Sequence, residues 1–375
     1  MSGIYIHIPF CRQACHYCDF HFSTNLKLVD QMTDSILTEL ISRKEYLNEA
    51  VETIYFGGGT PSFISSSHLE KILNQVLLLF PIAKKPEITL EANPEDLSIE
   101  KCIELKSLGI NRLSIGIQTF DDGKLKWMNR IHDTNQSTSA FENARRAGFD
   151  NITMDLMYAL PDSEHDLLRK SLEKLISLDP EHISLYGLTI EDYTVFGKLK
   201  KEGKFLALPE EEAAKQYLNS IAMLSAHGYL QYEVSNFGKS GFHAKHNLAY
   251  WNHKPYLGVG PSAHSYNKHS RSFNIRNNAR YIKAIQNKEV FFEKEYLTKI
   301  QQFNERILTG LRTTEGIDLN SLNRAFDIDF MHLYRAFINQ LSNQGLVTIV
   351  NEKLKLAPKG FLIADEIALK LFFHE

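Results

Sequence analysis

The chain has 375 residues, of which 43% are hydrophobic and 23% are charged, and its formal net charge is −3. This length allows two or three domains, or one large barrel with an appendage, and the charge argues against a general nucleic-acid binder. No apolar run is long enough to span a bilayer and no signal peptide is apparent, so we expect a reducing cytoplasm. In that compartment clustered cysteines bind metal or do chemistry more often than they form disulfides.

The first half of the chain alternates strand-like and helix-like stretches. Strands are predicted at 3–10, 52–59, 87–93, 112–118, 151–160 and 182–190. Helices are predicted between them, at 28–47, 66–80, 98–109, 135–148 and 164–179. Strands that alternate with helices indicate βαβ units and a parallel sheet, and six units favour an open or partial barrel over a closed eight-fold one.

The second half is less regular until its last part. A helix is predicted at 210–228, and short apolar segments among Gly, Asn and His follow over 229–280. Beyond these, the pattern predicts helices at 296–312, 318–326 and 330–344, a hairpin at 346–358 and a helix at 360–373. This order is typical of a winged-helix module. It carries 10 Lys and Arg against 11 Asp and Glu, so we expect it to pack against the barrel or a protein partner and not on nucleic acid.

The predicted domains are therefore three. Residues 1–235 form a partial barrel, residues 236–290 form a connecting region that completes a pocket, and residues 291–375 form the winged-helix-like domain.

Three of the four cysteines crowd into “CRQACHYC”, directly after the first predicted strand. Cys11, Cys15 and Cys18 have C-x3-C-x2-C spacing in a loop at the C-terminal edge of the sheet, where parallel α/β folds bind ligands. Three thiolates in one loop can hold three corners of an iron–sulfur cube and leave the fourth iron open. The alternatives are incidental thiols or a zinc site, which would take a fourth ligand from His7, His16 or His21.

Polar residues also stand at the ends of the following strands. “FGGGTP” (56–61) ends the second strand in a glycine turn, which can present backbone N–H groups to an anion. Glu91, Gln118 and Asp155 stand at or near the ends of the third, fourth and fifth strands. Each alone can be a structural group. Together they surround one mouth of the sheet, which is how such sheets bind a polar small molecule.

The stretches “YIHIPFCRQACHYCDF”, “GGGTP”, “EANPE”, “IGIQTF”, “MNR” and “DLMYALP” together resemble the radical S-adenosylmethionine (SAM) superfamily. More narrowly, they resemble the family of oxygen-independent coproporphyrinogen III oxidase and its haem-chaperone relatives. The resemblance covers nearly the whole chain. It implies an α/β fold, namely a partial (β/α)6 TIM-like barrel of the radical SAM type with a C-terminal winged-helix-like α+β module.

The resemblance also implies roles for single residues. Cys11, Cys15 and Cys18 would ligate a [4Fe-4S] cluster, whose open iron would chelate the amino and carboxylate groups of SAM. The residues that would contact SAM are Tyr5, Gly58, Gly59, Thr60, Glu91, Gln118, Arg130 and Asp155. In superfamily members that catalyse, an electron from the reduced cluster cleaves the sulfonium to a 5′-deoxyadenosyl radical.

Two features distinguish this chain from the oxidase branch of the family. The oxidases have a further cysteine two residues after the third, and here that position is Phe20. They also have an N-terminal extension that encloses the substrate, whereas only Met1, Ser2 and Gly3 stand at the start of the first predicted strand. Both departures place oxidase activity in doubt and leave open whether the protein is an enzyme.

A third feature favours the haem-chaperone branch. “HNLAYW” (246–251) fits the H-N-x-x-Y-W motif of that branch. His246 would ligate or attach haem, while Tyr250 and Trp251 would offer flat apolar faces to the porphyrin. The alternative is a structural loop with two core aromatic residues. Four other histidines compete with His246 for the haem: His243, His253, His264 and His269. “GVGPSAHS” (258–265) is expected to line the pocket.

The expected function is therefore a cytoplasmic haem chaperone that binds a [4Fe-4S] cluster, SAM and haem and transfers haem to an acceptor protein. The alternatives are a coproporphyrinogen III oxidase of porphyrin biosynthesis and a zinc-holding interaction protein. The expected partners are haem and a haem-accepting protein, without nucleic acid. This function is also compatible with a reductant protein, a homodimer and transient membrane association through the acceptor.

Overall fold

A computed structural model describes residues 2–161 and 166–373 of the protein. Its strands are β1 (Ser2–Ile8), β2 (Val51–Gly58), β3 (Ile82–Ala92), β4 (Arg112–Gln118), β5 (Ile152–Tyr158), β6 (His182–Gly187), β7 (Leu230–Gln231), β8 (Asn236–Gly238), β9 (Tyr256–Val259), β10 (His264–Tyr266), β11 (Ser270–Asn274), β12 (Phe292–Tyr296), β13 (Ile317–Asp318), β14 (Val347–Val350) and β15 (Lys353–Leu356).

The α-helices of the described residues are α1 (Val29–Ser42), α2 (Ser66–Leu79), α3 (Ile99–Ser107), α4 (Asp122–Trp127), α5 (Thr134–Arg146), α6 (Leu167–Leu178), α7 (Val195–Lys201), α8 (Glu210–Ala226), α9 (Lys245–Trp251), α10 (Asn278–Asn287), α11 (Lys299–Leu311), α12 (Leu319–Phe326), α13 (Phe330–Asn343), α14 (Pro358–Phe361) and α15 (Ala364–Lys370). The first two residues of the predicted helix 164–179 lie outside the described residues. None of the helices in the described ranges has the length and apolar character needed to cross a membrane.

Six parallel strands form the centre of one large sheet. Strands β1 to β6 pair with one another in chain order, and every pair is parallel. The burial of β1 is nearly continuous along its length, which is typical of a parallel strand covered on both faces by helices. The predicted parallel α/β architecture is confirmed.

Shorter strands extend this sheet at both edges. On one side β8 and then β7 follow β6 in antiparallel fashion. On the other side β9 pairs parallel to β1, and β10, β11 and β12 continue antiparallel. The strands β9 to β11 come from the predicted connecting region, and they build a wall beside the first barrel strand.

The C-terminal part has its own small sheet and core. Strands β13, β15 and β14 form an antiparallel three-stranded sheet, around which α11 to α15 pack. Phe303, Ile307, Leu311 and Phe330 are buried in this core. The domain boundaries near residues 235 and 290 stay predictions, and β12, beyond the second of them, still pairs with β11 of the large sheet.

A buried carboxylate ties α1 to the edge wall. Glu39 is fully buried and accepts hydrogen bonds from Arg43 (3.1 Å), Asn274 (2.8 Å), the Gly260 backbone N–H (2.8 Å) and the Tyr281 hydroxyl. These donors belong to the C-terminal cap of α1, to β11, to α10 and to the turn after β9. Because each donor has lost its water, removal of the acceptor leaves several buried groups unsatisfied.

Arg43 extends this network to β10. Its guanidinium donates to the hydroxyls of Ser265 and Ser272, both at 3.1 Å, and to the Gly258 carbonyl at 3.3 Å. Strands β9, β10 and β11 are therefore held on one face by one ion pair from α1.

We expect Glu39→Ala to lower the free energy of unfolding by about 3–5 kcal/mol, because it leaves the buried Arg43 charge without its counter-ion and removes an acceptor from three other buried donors. Urea denaturation measures the effect. Glu142→Ala is the matched control, since Glu142 is exposed on α5 and its loss should change stability by less than about 0.5 kcal/mol. Equal stability of the two variants would contradict the role of Glu39.

Candidate functional site

The three clustered cysteines lie on a closed loop after β1. The Cys11 backbone N–H donates to the Ser23 carbonyl at 3.1 Å, and the Ser23 N–H donates to the Pro9 carbonyl at 2.8 Å. These two bonds join the ends of the loop at the C-terminal edge of the sheet. The cysteines thus stand where the sequence predicts them.

The tip of this loop is held by the end of α4. The His16 N–H donates to the Met128 carbonyl at 3.0 Å, and the ring Nδ1 of His16 lies 2.9 Å from the Trp127 carbonyl. The Asn129 amide donates to the Ala14 carbonyl at 2.7 Å. The sequence did not predict helix α4, because the helix has only 6 residues. It nevertheless supports the cysteine loop.

Hydrogen-bond donors face two of the three sulfurs. The Thr60 hydroxyl donates to Cys11 Sγ at 3.4 Å, and Arg130 Nη1 donates to Cys15 Sγ at 3.5 Å. Burial, with a smaller contribution from the neighbouring cysteines, raises the pKa of Cys11 to about 12 and that of Cys18 to about 11. The free thiols of Cys11 and Cys18 are therefore protonated at neutral pH, and a bound metal must displace their protons.

The residues of this loop fit an iron–sulfur cluster better than a single zinc ion. Across residues 2–161 and 166–373, no three or more His, Cys, Asp or Glu side chains come together so that they could hold one metal ion. A [4Fe-4S] cluster has a different requirement, because each thiolate binds its own iron. Three half-buried thiols on one loop, with Arg130 to offset thiolate charge, meet that requirement.

The histidines that would complete a zinc site are engaged elsewhere. His7 has its Nε2 at 2.8 Å from the His21 carbonyl and its Nδ1 at 3.1 Å from the Tyr5 hydroxyl. The ring of His21 bonds to Asn278 at 2.7 Å. His16 bonds to the carbonyl of Trp127, as described above.

The glycine turn after β2 packs against the base of the cysteine loop. Gly58 has a φ of +108°, and a Cβ there would lie 2.6 Å from the His7 ring. A Cβ on Gly59 would lie 2.7 Å from the Phe10 carbonyl oxygen. The next residue, Thr60, donates its N–H to that same carbonyl at 2.7 Å. The glycines therefore allow the turn and the loop to touch.

A buried acidic group lies beside this turn. Glu91 accepts from the Tyr55 hydroxyl at 2.8 Å and from the Gly58 N–H at 3.1 Å. Burial raises the pKa of Glu91 to about 7. The Tyr5 ring stacks on Tyr55 with centroids 6.1 Å apart, which places Tyr5 at the same spot.

Arg130 joins the cysteine loop to the next strand ends. Its Nη2 donates to the Gly116 carbonyl and to Asn93 Oδ1, both at 2.8 Å, and Asn93 donates in turn to Thr60 Oγ1 at 3.3 Å. The Nε of Arg130 is buried without a partner among the described residues. Asn93 was not singled out from the sequence, although it stands within the “EANPE” motif.

Two further predicted residues lie on neighbouring strands. Gln118 has a φ of +67°, and its side-chain amide nitrogen lies 2.8 Å from the place where a Cβ of Gly116 would stand. Asp155 accepts from the Ser114 hydroxyl at 3.2 Å, and burial raises the pKa of Asp155 to about 6. Glu91, Gln118 and Asp155 thus lie on the three successive strands β3, β4 and β5, and Asp155 also contributes to the raised pKa of Glu91. Their contact with SAM stays a prediction.

The “HNLAYW” stretch forms helix α9, not a loop. Its first N–H groups are capped by a distant carboxylate, since Glu87 of β3 accepts from the N–H of Lys245 at 3.2 Å and from that of His246 at 3.1 Å. No side chain at the preceding Ala244 caps the helix, which explains why local sequence signals did not indicate it.

His246 is buried and both of its ring nitrogens are engaged. Nδ1 lies 2.8 Å from the Thr53 hydroxyl and Nε2 lies 2.8 Å from the Tyr250 hydroxyl, while the ring stacks on Tyr55 at 4.9 Å. Only 2% of the residue is exposed. Burial lowers the pKa of His246 to about 3, so the ring is neutral. His246 positions Tyr250 and offers no free nitrogen to a ligand in this arrangement.

A cavity of about 620 Å³ opens between the cysteine loop, the β9–β11 wall and helix α11. This volume is within the range of small-molecule sites, about 300–1,000 Å³. Tyr250 and Trp251 line it, and so does Phe20, which is 74% exposed. Of the four competing histidines, His253 and His264 line the cavity, whereas His243 and His269 are not among its lining residues.

Comparison with known proteins shows two matching families along the chain. Residues 5–175 match the Radical SAM superfamily, and residues 297–363 match the HemN C-terminal domain. The chain is similar to the heme chaperone HemW of Bacillus subtilis, with 36% identity over 98% of both chains. It is also similar to the heme chaperone HemW of Lactococcus lactis, with 35% identity over 100% of this chain and 98% of the other.

The fold is similar to a solved structure over almost its whole length. Coproporphyrinogen III oxidase (HemN) from Escherichia coli, a radical SAM enzyme, superposes with a TM-score of 0.85 at 21% identity, over 99% of this chain and 90% of that chain. At this identity the likeness concerns the fold alone. It confirms the predicted radical SAM type of partial barrel with its C-terminal module.

We expect acid to destabilise the protein through His246, because its pKa is lowered to about 3 in the folded chain and is about 6.5 in the unfolded chain. Stability from this group is complete above about pH 6.5 and is lost as the pH falls. Between about pH 7 and about pH 4.5 the wild type should therefore lose about 2–3 kcal/mol more than His246→Gln.

Urea denaturation at several pH values measures this difference. His269→Gln is the control, since His269 is exposed and should leave the pH dependence unchanged. Parallel curves for wild type and His246→Gln would show that His246 is not a buried neutral group.

Proposed function

This chain belongs to the HemW family of the radical SAM superfamily, and we propose from that membership that it binds a [4Fe-4S] cluster, SAM and haem and transfers haem to an acceptor protein. The observation that carries the proposal is the cavity beside the cysteine loop. The cavity brings the proposed cluster site and the proposed haem site together, because the cysteine loop and the aromatic residues of the H-N-x-x-Y-W motif share its wall.

The lining of the cavity has the chemistry that a porphyrin needs. Tyr5, Tyr250, Trp251, Tyr256 and Tyr266 offer flat faces for an apolar macrocycle. Histidine rings offer ligands for iron, and arginine side chains offer partners for carboxylates. The Trp251 Nε1–H is buried without a partner among the described residues, so a donor remains available to a bound molecule.

The proposed cofactor site is adjacent to this cavity. Cys11, Cys15 and Cys18 would hold the cluster, with Thr60 and Arg130 as donors to sulfur. The other proposed SAM contacts are Tyr5, Gly58, Gly59, Glu91, Gln118 and Asp155. When bound, the cluster and SAM supply reductive cleavage of the sulfonium in those members of the superfamily that catalyse. The residues of this chain provide a buried polar cradle for a zwitterionic ligand.

The alternative function is oxygen-independent coproporphyrinogen III oxidase, with which the chain shares its fold. Phe20 argues against it, because this large apolar side chain occupies the loop position of a further cysteine in that branch and projects to the cavity. Anaerobic incubation of reconstituted protein with SAM, a reductant and coproporphyrinogen III decides between them. Formation of protoporphyrinogen would support the oxidase.

The remaining partners belong to the same proposal. A haem-accepting protein is required by the transfer step, and a reductant protein would serve the cluster. We also propose that the protein is cytoplasmic, that it forms a homodimer and that it contacts the membrane transiently through the acceptor. No nucleic-acid partner is proposed, because the C-terminal module lacks a basic surplus.

We expect Trp251→Ala to weaken haem binding at least about tenfold, since it removes one flat face and one donor from the cavity. Titration of the purified protein with haem, followed by absorption, measures the affinity. Tyr193→Ala is the control, because Tyr193 is 91% exposed and is not among the cavity-lining residues. Wild-type protein that binds no haem would refute the proposed function.

We expect the affinity for SAM to rise with pH through about 7, because the ionised Glu91 carboxylate attracts a positively charged ligand group more strongly than the neutral acid does. Isothermal titration of reconstituted protein under anaerobic conditions, from about pH 6 to about pH 8, measures this rise. Glu91→Gln should bind SAM more weakly and without that dependence, whereas Glu142→Gln should match the wild type. Unchanged SAM binding by Glu91→Gln would remove this residue from the site.

A further inference from the structure

Within the described part of the chain, four histidines line the cavity, and their ring nitrogens differ in availability. They are His7, His21, His253 and His264. Both nitrogens of His7 are engaged, and the Nε2 of His21 bonds to Asn278, as described above. The Nε2 of His253 lies 2.8 Å from the Thr309 hydroxyl, which itself donates to the Glu305 carbonyl and so accepts from His253.

His264 differs from the other three. Its ring makes no hydrogen bond with any of the described residues, and its one ring contact is with Phe273, at 5.8 Å between centroids. A histidine approaches a haem iron most readily through Nε2, because Nδ1 is flanked by its own Cβ. His264 is the one cavity-lining histidine of the described residues whose Nε2 is free.

Contacts on the opposite face of strand β10 fix the backbone of His264. His264 and Tyr266 point to one side of this strand and line the cavity, while Ser265 between them points to the other side. There Ser265 accepts from Arg43 at 3.1 Å, within the buried network of Glu39. The side chain of His264 is thus free, but its backbone is fixed by β9, β11 and α1.

Two arginines that line the cavity match the two carboxylates of a haem. Arg271 forms an ion pair with Glu305 at 3.0 Å and keeps a buried Nε without a partner among the described residues. Arg276 donates to the Asp19 carbonyl at 2.5 Å and is half exposed. A haem has one iron and two carboxylates on a flat apolar ring, and this wall offers an imidazole, two guanidinium groups and aromatic faces.

We propose that His264 is the axial ligand of the haem iron, and that Arg271 and Arg276 bind the haem carboxylates. This inference rests on the proposed function and specifies its site. Ligand-holding histidines of permanent haem and metal sites usually donate their second nitrogen to a protein acceptor, which strengthens the bond to the metal. His264 has no such acceptor within residues 2–161 and 166–373, which suits a ligand that must release its cargo.

Resonance Raman spectroscopy with Soret excitation tests the ligand in the full-length, cluster-containing protein. We expect ferrous haem on the wild type to show an iron–histidine stretching band. His264→Gly should lose this band and bind haem at least tenfold more weakly, and added imidazole should restore the band. His253→Ala, His21→Ala and the exposed control His269→Ala should keep it. His264 lies on the surface of the cavity, and circular dichroism and the melting temperature verify that its variants fold.

The outcomes separate this inference from the proposed function. Wild-type protein without haem affinity would refute the proposed function. Haem binding with an unchanged band in His264→Gly would refute the inference alone, as would loss of the band in His253→Ala or His21→Ala. A second comparison tests the carboxylate contacts. Arg271→Gln and Arg276→Gln should each lower the affinity for haem. Both should leave the affinity for haem dimethyl ester unchanged, because the ester has no free carboxylates. Equal weakening for both compounds would refute their role.

Discussion

The buried carboxylate of Glu39 is the constraint on which the ligand-binding side of the molecule depends. A charge inside an apolar core is costly unless every lone pair has a donor, so the four donors that surround Glu39 cannot move independently. Those donors come from four separate segments, and the edge strands β9 to β11 contain few residues of their own to hold them. A helix on the back of the barrel thereby determines the position of the cavity wall.

The two halves of the site follow from this arrangement. The parallel strands bring polar side chains to one edge, where Arg130 and Thr60 meet the cysteine loop. The edge strands bring aromatic and basic side chains to the neighbouring cavity. A polar group of residues and an aromatic cavity therefore lie beside the same short loop, and Tyr5 of β1 belongs to both.

Much of this organisation was predictable from the sequence, for a simple reason. Carboxyl ends of successive parallel strands must meet at one edge, so Glu91, Gln118 and Asp155 could be placed near the cysteines without coordinates. Helix α9 could not be predicted in this way, because the side chain that caps it is Glu87, which lies 158 residues away from Lys245. The motif likewise indicated His246 as a haem-binding residue, but it could not show that the ring Nδ1 bonds to Thr53, which lies 193 residues away. The short strand β10 is defined by its pairing with β9 and β11, which the local sequence does not show. The sequence therefore did not distinguish His264 from the other candidate haem-binding histidines.

The cysteine loop has a further consequence for the cavity wall. The segment that carries Cys18 continues directly into Asp19, Phe20 and His21, all of which line the cavity. Asp19 and His21 in turn bond to Arg276 and Asn278, so the loop and the opposite wall form one connected surface. A rearrangement of the cysteine loop would therefore displace three residues of the cavity wall together with it.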